Sequence, residues 1–324
     1  MRKLTAGTRG SALALWQTEH AVATLRAAAE RRGTRVELAT KTITTRGDTD
    51  QSPVLAGKLG KGFFTLELEA ALRAREIDFA VHSLKDLPTE SAADLAIGAV
   101  LPRGPRHDLL IARPEAVAKV SADRLPLASG AKVGSSSLRR TALLARYSGN
   151  STAAPLRGNV PTRLGKLAQG PYQAIVLAAA GVERLGLDLS GFAVFDLNPR
   201  VWIPAPGQGA VAIQCRAGDA EVENILGSVA HRPTADDTAL ERLYLHALEG
   251  GCTTPFGCVV DGPDLCVGLD IHGGWRRAVA ARAGADRMRL LDALRDANYR
   301  EAAGETAGED WLYRKHRPSG VQVA

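Results

Sequence analysis

A chain of 324 residues is too long for one small core, so two or three domains are expected, and 45% hydrophobic with 23% charged residues is the balance of an ordinary globular protein. An aromatic share of 5% argues against stacking on nucleic-acid bases, and a net charge of +6 carried mostly by arginine is too modest to imply DNA binding. Four cysteines, no run of the length that crosses a bilayer, and an amino-terminal stretch without the apolar centre of a secretory signal point to a cytoplasmic protein without a disulfide framework.

In chain order, Ser11 caps a helix whose Leu15, Trp16, Val22 and Leu25 share a broad apolar face, Gly33 closes it, and "RVELATKTI" follows as a strand. A second helix around "TLELEAALRAREI" leads into "DFAVHSL", a short apolar strand. This βαβ grammar implies a parallel sheet with ligands at the carboxyl ends of its strands. "LPRGPRHD" reads as a hinge or crossover. A second α/β unit follows: "AKVGSSSLRRTALLARY" as strand, polar turn and helix, "LRGNVPTRLGKLAQG" as turn and helix with Pro161 in the first turn, and "YQAIVLAAAGVERLGL" as strand and helix. "WIPAPGQGAVAIQCR" breaks the rhythm and reads as a chain return between domains. Beyond it come a helix over "TADDTALERLYLHALEGG" with Thr or Asp as cap, antiparallel strands over "DLCVGLDIHG" and "RRAVAARAG", an amphipathic helix over "DRMRLLDALRDA", and a loosely held tail from Gly304 onward.

Several of these segments concentrate polar groups. The strand ending at His82, Ser83, Lys85 and Asp86 delivers them to the mouth of a sheet, where Lys85 would keep Asp86 ionised to stabilise a cation or pass a proton to a leaving amine. A capped strand end with a surface Lys85–Asp86 pair is the plainer alternative. Ser135, Ser136 and Ser137 at a helix start, with Arg139 and Arg140 behind them, suit an anion. Arg157 ahead of a glycine turn, Arg163 on the next helix, and Arg9 in "GTRGS" repeat the pattern. Neither a P-loop nor Gly-x-Gly-x-x-Gly follows a strand, so several carboxylates are a simpler ligand than phosphates.

Cys252 follows two glycines at the carboxyl end of a helix, where the dipole disfavours a thiolate. It is therefore read as either a buried structural thiol or a point of permanent attachment. Cys252, Cys258, Cys266 and His272 contain no Cys-x-x-Cys spacing, and no metal site is expected.

"GTRGSALALWQ", "GKGFFTLELE", "DFAVHSLKDLPTE", "VGSSSLRR", "LRGNVPTRLGKL", "AIVLAAAGVERLGL", "IPAPGQGAVAIQCR" and "LEGGCTTPFG" resemble, in order and spacing, the porphobilinogen deaminase family over roughly Thr8 to Gly257. The resemblance implies two doubly wound α/β domains like those of periplasmic binding proteins (1–103 with 207–226, and 104–206) and a smaller α+β domain (227–324). It implies a dipyrromethane cofactor held by a thioether to Cys252, onto which four porphobilinogen molecules are joined head to tail with loss of ammonia before water frees hydroxymethylbilane. Asp86 corresponds to the catalytic aspartate. Lys85, Ser136, Ser137, Arg139, Arg140 and Arg163 correspond to cofactor-binding residues, and Arg9, Ser11, Lys61, Arg157, Arg163 and Arg184 to substrate-binding residues.

The chain departs from the family pattern at Lys58, one place out of register, at "GPRHDLL" around Arg106, and at "CTTPFGC", which adds Cys258. The expected protein is a cytoplasmic monomer passing its product to uroporphyrinogen-III synthase, with no nucleic-acid or membrane partner. A two-domain binding protein or sensor for a polycarboxylate also explains the arginines, but gives no reason for Cys252 or for Asp86 amid basic groups.

Overall fold

The computed structural model describes residues 3–44, 65–248, 255–284, 286–296 and 311–316. From the amino end come β1 (Lys3–Thr8), α1 (Ala12–Arg31), β2 (Glu37–Thr42), α2 (Leu66–Arg73), β3 (Phe79–Ser83), a 3-10 turn (Leu84–Asp86) and β4 (Leu95–Val100). There follow β5 (Asp108–Ala112), β6 (Lys132–Gly134), α3 (Leu138–Tyr147), β7 (Thr152–Ala154), α4 (Val160–Gln169), β8 (Ala174–Ala178), α5 (Ala179–Arg184) and β9 (Ala193–Leu197). The rest is β10 (Val211–Arg216), α6 (Ala220–Gly227), α7 (Arg232–His246), β11 (Phe256–Asp261), β12 (Asp264–Ile271), β13 (Gly274–Ala281), α8 (Arg287–Arg295) and β14 (Tyr313–Lys315). The described residues fall into two compact units, one within Met1–Arg106, Glu183–Leu185 and Ala205–Cys252, the other within His107–Val182, Gly186–Pro204 and Thr253–Ala324.

The first unit is built on a five-stranded sheet in the order β2-β1-β3-β10-β4. β1 runs parallel to β2 and β3, as the βαβ reading requires, but β10 is antiparallel to both β3 and β4, so the sheet is mixed. The reversal arises because β10 enters from the "PGQG" return and not from a crossover helix. There Gly209 has φ +87°, and a Cβ would lie 2.6 Å from the Pro105 carbonyl oxygen, so a side chain fits neither the backbone nor the space. Leu4, Ala6, Phe79, Val81, Val211 and Ile213 of the sheet pack against Ala21, Val22, Leu25 and Ala28 of α1, each large side chain contributing about 1.5–3 kcal/mol by leaving water.

Ser11 caps α1 as expected, accepting from the Ala14 amide at 3.4 Å, and Gly33 leaves it with φ +65°. Two helix boundaries differ from the sequence reading. α2 stops at Arg73, since Arg75 turns the chain with φ +56° and Ile77, ahead of β3, folds back into the core beside Leu68 and Leu72. α7 begins at Arg232, its cap being the imidazole of His231, whose Nδ1 accepts from the Thr234 amide at 3.3 Å, in place of a Thr or Asp.

The second unit holds a six-stranded sheet in the order β14-β9-β5-β8-β6-β7 and a three-stranded antiparallel sheet, β11-β12-β13. Tyr147 and Trp202 share one core with Val259, Cys266 and Trp275 of the smaller sheet. The tail expected to be loose from Gly304 carries, within 311–316, an edge strand: β14 pairs antiparallel with β9, Leu312 is fully buried, and Tyr313 stands edge-on to Phe195 with centroids 5.3 Å apart. A three-residue strand is too short to register as periodicity. Asp196 anchors it, accepting from Arg314 Nε at 3.3 Å and contacting His107 at 3.0 Å and His316 at 2.8 Å. Burial favours the protonated Asp196 carboxyl, but hydrogen bonds with His107 and His316 outweigh it and hold the group at about 2. No helix among the described residues is long and apolar enough to cross a membrane.

Candidate functional site

In the first unit, the carboxyl end of β3 and the amino end of α1 frame a cleft lined by Arg9, Ser11, Gln17, Thr65, His82, Ser83 and Asp86. The arrangement follows from the chain. β1 ends at Thr8, so Arg9 and the Ser11 cap sit at the lip of the sheet, and β3 ends at Ser83, so the 3-10 turn that follows presents Asp86 beside them. Asp86 is exposed to the cleft and Arg9 is half-buried in its wall. Lys85 does not form the surface pair with Asp86 that spacing allowed; its ammonium reaches Gln208 Oε1 at 3.5 Å.

Burial dominates the titration of His82, pushing it down to about 4; the neighbouring Gln214 side chain opposes the shift and the Arg9 charge reinforces it. At neutral pH the cleft therefore holds an uncharged imidazole beside Arg9 and Asp86. Gln17 and Ser83 exchange hydrogen bonds at 2.9 and 3.2 Å, tying α1 to the end of β3. Gln17 and Thr65 are not among the residues that the sequence motifs single out. Gln17 is readable in retrospect as a polar residue on the buried stripe of α1, between Ala14 and Ala21; Thr65 carries no comparable signal.

Arg184, at the end of α5, belongs to this unit. Its guanidinium lies over the Trp16 ring at 5.5 Å and donates to the Gly209 carbonyl at 2.6 Å; burial lowers its pKa. Trp16 in turn stacks on His20 with centroids 5.0 Å apart.

In the second unit the serine turn does local work. Ser136 Oγ donates to the Leu156 carbonyl at 2.9 Å and accepts from its amide at 3.0 Å, and Ser137 caps α3. Arg139 and Arg140 turn inward. Arg140 pairs with both oxygens of Asp108, its Nη2 at 2.7 Å, and Arg139 reaches Oδ2 at 2.8 Å, while the Trp202 indole N–H donates to the same oxygen at 3.0 Å. Burial alone would raise the Asp108 carboxyl, yet Arg140 and Arg139 together hold it well below the usual carboxylate range. Arg163 donates from Nε to the Gly158 carbonyl at 2.7 Å, closing the turn that carries the half-buried Arg157, and the Asn159 side chain caps α4. Cys258 is fully buried in β11. Lys58, Lys61 and Cys252 lie outside the described residues.

A family model described as porphobilinogen deaminase, dipyromethane cofactor binding domain, matches residues 4–224. A porphobilinogen deaminase of Desulforamulus reducens is 43% identical over 256 residues, covering 79% of each chain. One from Desulforudis audaxviator is 45% identical over 259 residues, 80% of each chain, and one from Sorangium cellulosum 39% identical over 292 residues, 90% of each chain.

Proposed function

The chain belongs to the porphobilinogen deaminase family, and on that premise we propose which of its residues carry the family's reaction. The activity is that of a hydroxymethylbilane synthase, a transferase of tetrapyrrole and haem biosynthesis that works with a dipyrromethane cofactor. Four porphobilinogen molecules are joined head to tail, each losing ammonia, and water releases the linear product.

The observation that carries the assignment of roles is the convergence of Asp86, Arg9 and Ser11 on one cleft. Pyrroles bearing acetate and propionate arms offer N–H donors and carboxylate acceptors, and the donor set fits them: a guanidinium and hydroxyls for the arms, one carboxylate for the ring nitrogens. When bound, the cofactor supplies the growing point to which each porphobilinogen is attached. Asp86, exposed to the cleft, accepts from pyrrole N–H and stabilises the positive charge that develops on porphobilinogen as ammonia departs. Arg9 and Ser11 bind the arms of the incoming ring and orient it. Neutral His82 adds no second cation to compete with the one that forms.

Lys85, Ser136, Ser137, Arg139, Arg140 and Arg163 are assigned to the cofactor, and Lys61, Arg157, Arg163 and Arg184 to substrate carboxylates. A guanidinium has five N–H groups, so Arg139 and Arg140 have more donors than the bonds to Asp108 and to the Ile203 and Val176 carbonyls take up. Cys252 is the attachment point, through a thioether. The proposed division into 1–103 with 207–226, 104–206 and 227–324 distributes its last segment over both compact units, and limited proteolysis near residues 103, 206 and 227 tests it. A cytoplasmic monomer that hands hydroxymethylbilane to uroporphyrinogen-III synthase completes the proposal.

Incubation of the purified protein with porphobilinogen is expected to release ammonia and a linear bilane, and intact mass to show dipyrromethane bound. Peptide mapping then locates the adduct. A fully active protein with Cys252 unmodified overturns the tether, and saturable binding without turnover overturns the enzymatic reading in favour of a receptor.

A further inference from the structure

The turn that carries Asp86 is gripped by a residue far along the chain. Arg242, half-buried on α7, donates from Nη1 to the carbonyls of Leu84 at 3.4 Å and Leu87 at 3.2 Å, and from Nη2 to those of Pro88 and of Thr89, the latter at 3.2 Å. These four carbonyls flank Asp86 on both sides. The Leu84 carbonyl also accepts from the Leu87 amide at 3.2 Å, while Leu87, Pro88 and Thr89 lie just beyond the one-turn 3-10 helix, where Pro88 has no N–H with which to continue a ladder. Four oxygen dipoles aimed at one point repel each other unless a cation with several donors sits there. A guanidinium fits that demand; an ammonium, with three donors and no planar fork, does not reproduce it.

The neighbouring residue fixes the grip. Glu241 is fully buried, pairs with Arg103 at 2.7 and 3.0 Å, and accepts from the Gly207 amide at 2.7 Å. One turn of α7 is thus locked to the Gly207–Gly209 return through Glu241 and to the Asp86 turn through Arg242. Asp86 itself is exposed, so the placement of its carboxylate is inherited from the backbone that Arg242 holds.

We infer that Arg242 is a positioning residue for Asp86, setting where the carboxylate stands in the cleft without touching substrate. The inference rests on the assignment of Asp86 as the catalytic carboxylate. In a preformed site, a displacement of about 1 Å is enough to lower turnover by up to about 100-fold.

The test uses cofactor-loaded enzyme, with loading read by intact mass and folding by thermal melting, for Arg242→Lys and Arg242→Gln, alone and combined with Asp86→Glu. Turnover per loaded molecule is expected to fall about tenfold or more in Arg242→Lys, with KM for porphobilinogen within about twofold. On the Asp86→Glu background the same substitution should have less than about a twofold effect, because the carboxylate is already displaced. A lower melting temperature with unchanged turnover per loaded molecule, or an equal fold-loss on both backgrounds, overturns the inference while leaving Asp86 in its role. Near-normal turnover of Asp86→Glu alone removes the premise instead. Should Arg242→Gln fail to fold, Arg242→Lys, which retains the charge, decides the matter.

Discussion

Arg9 and the Arg139–Arg140 pair arise from the same local grammar, a strand, a turn with small residues, then a helix, yet the two compact units use them differently. In one, Arg9 is a wall of a cleft whose other polar groups are hydroxyls, an amide, a neutral imidazole and one carboxylate. In the other, both guanidiniums are buried against Asp108, which also takes the Trp202 N–H. A turn-then-arginine pattern thus marks where cations enter the fold, while the presence of a buried carboxylate decides which of them also hold the fold together. Asp108 is the discriminating residue, and it lies some thirty positions before the arginines it neutralises, at the start of β5.

The greatest loss is expected at that residue. Asp108→Ala leaves two buried guanidiniums facing each other without their anion, and losing one partner of a buried pair costs about 3–5 kcal/mol. Denaturant midpoints measure it. A loss below about 1 kcal/mol would mean the pair is structurally idle and the two units do not differ in this respect.

The next effect belongs to the cleft. His82 titrates at about 4 in the folded protein against about 6.5 when unfolded, so between those values the unfolded chain binds a proton that the folded one refuses. Stability is therefore complete above pH 6.5 and falls by about 3 kcal/mol as the pH drops to 4. His82→Gln should flatten that slope in melting experiments across the window. An unchanged slope would place the acid sensitivity elsewhere.

The sequence makes some of this contrast legible and hides the rest for identifiable reasons. Ser11 as a cap, the strand ending at Ser83 and the helix after Asn159 follow from local signals, and so do the polar groups they bring to strand ends. The mixed sheet was not legible, because the direction of β10 depends on where a glycine-rich return delivers the chain and not on its own alternation. The inward turn of Arg139 and Arg140 was not legible either, since their partner is separated from them in sequence and "SSSLRR" looks alike whether the arginines face an anion or a buried aspartate. His231 as the cap of α7 escaped because imidazole is an unusual cap, and β14 because three residues cannot show a period.

The third effect is chemical. Asp86→Glu keeps the charge and moves it by about a bond length, which should lower turnover on the order of 100-fold while the cofactor stays attached. Steady-state kinetics with intact mass as the loading control reads it. Turnover within about threefold of the parent would return Asp86 to the role of a strand-end surface group.

The smallest effect separates the two arginine sites most cleanly. Arg9→Lys keeps a positive charge in the cleft wall but loses the planar fork that matches a carboxylate, so KM for porphobilinogen should rise about tenfold, with stability changed by less than about 0.5 kcal/mol. Arg140→Lys is the reference: it loses the fork toward Asp108, where Nε and Nη2 both bind, so there the cost should fall first on folding. If the two conservative changes affect stability equally, the distinction between a cleft cation and a core cation is lost. If Arg9→Lys leaves KM unchanged, the half-buried guanidinium is not what holds the acidic arms of the incoming ring.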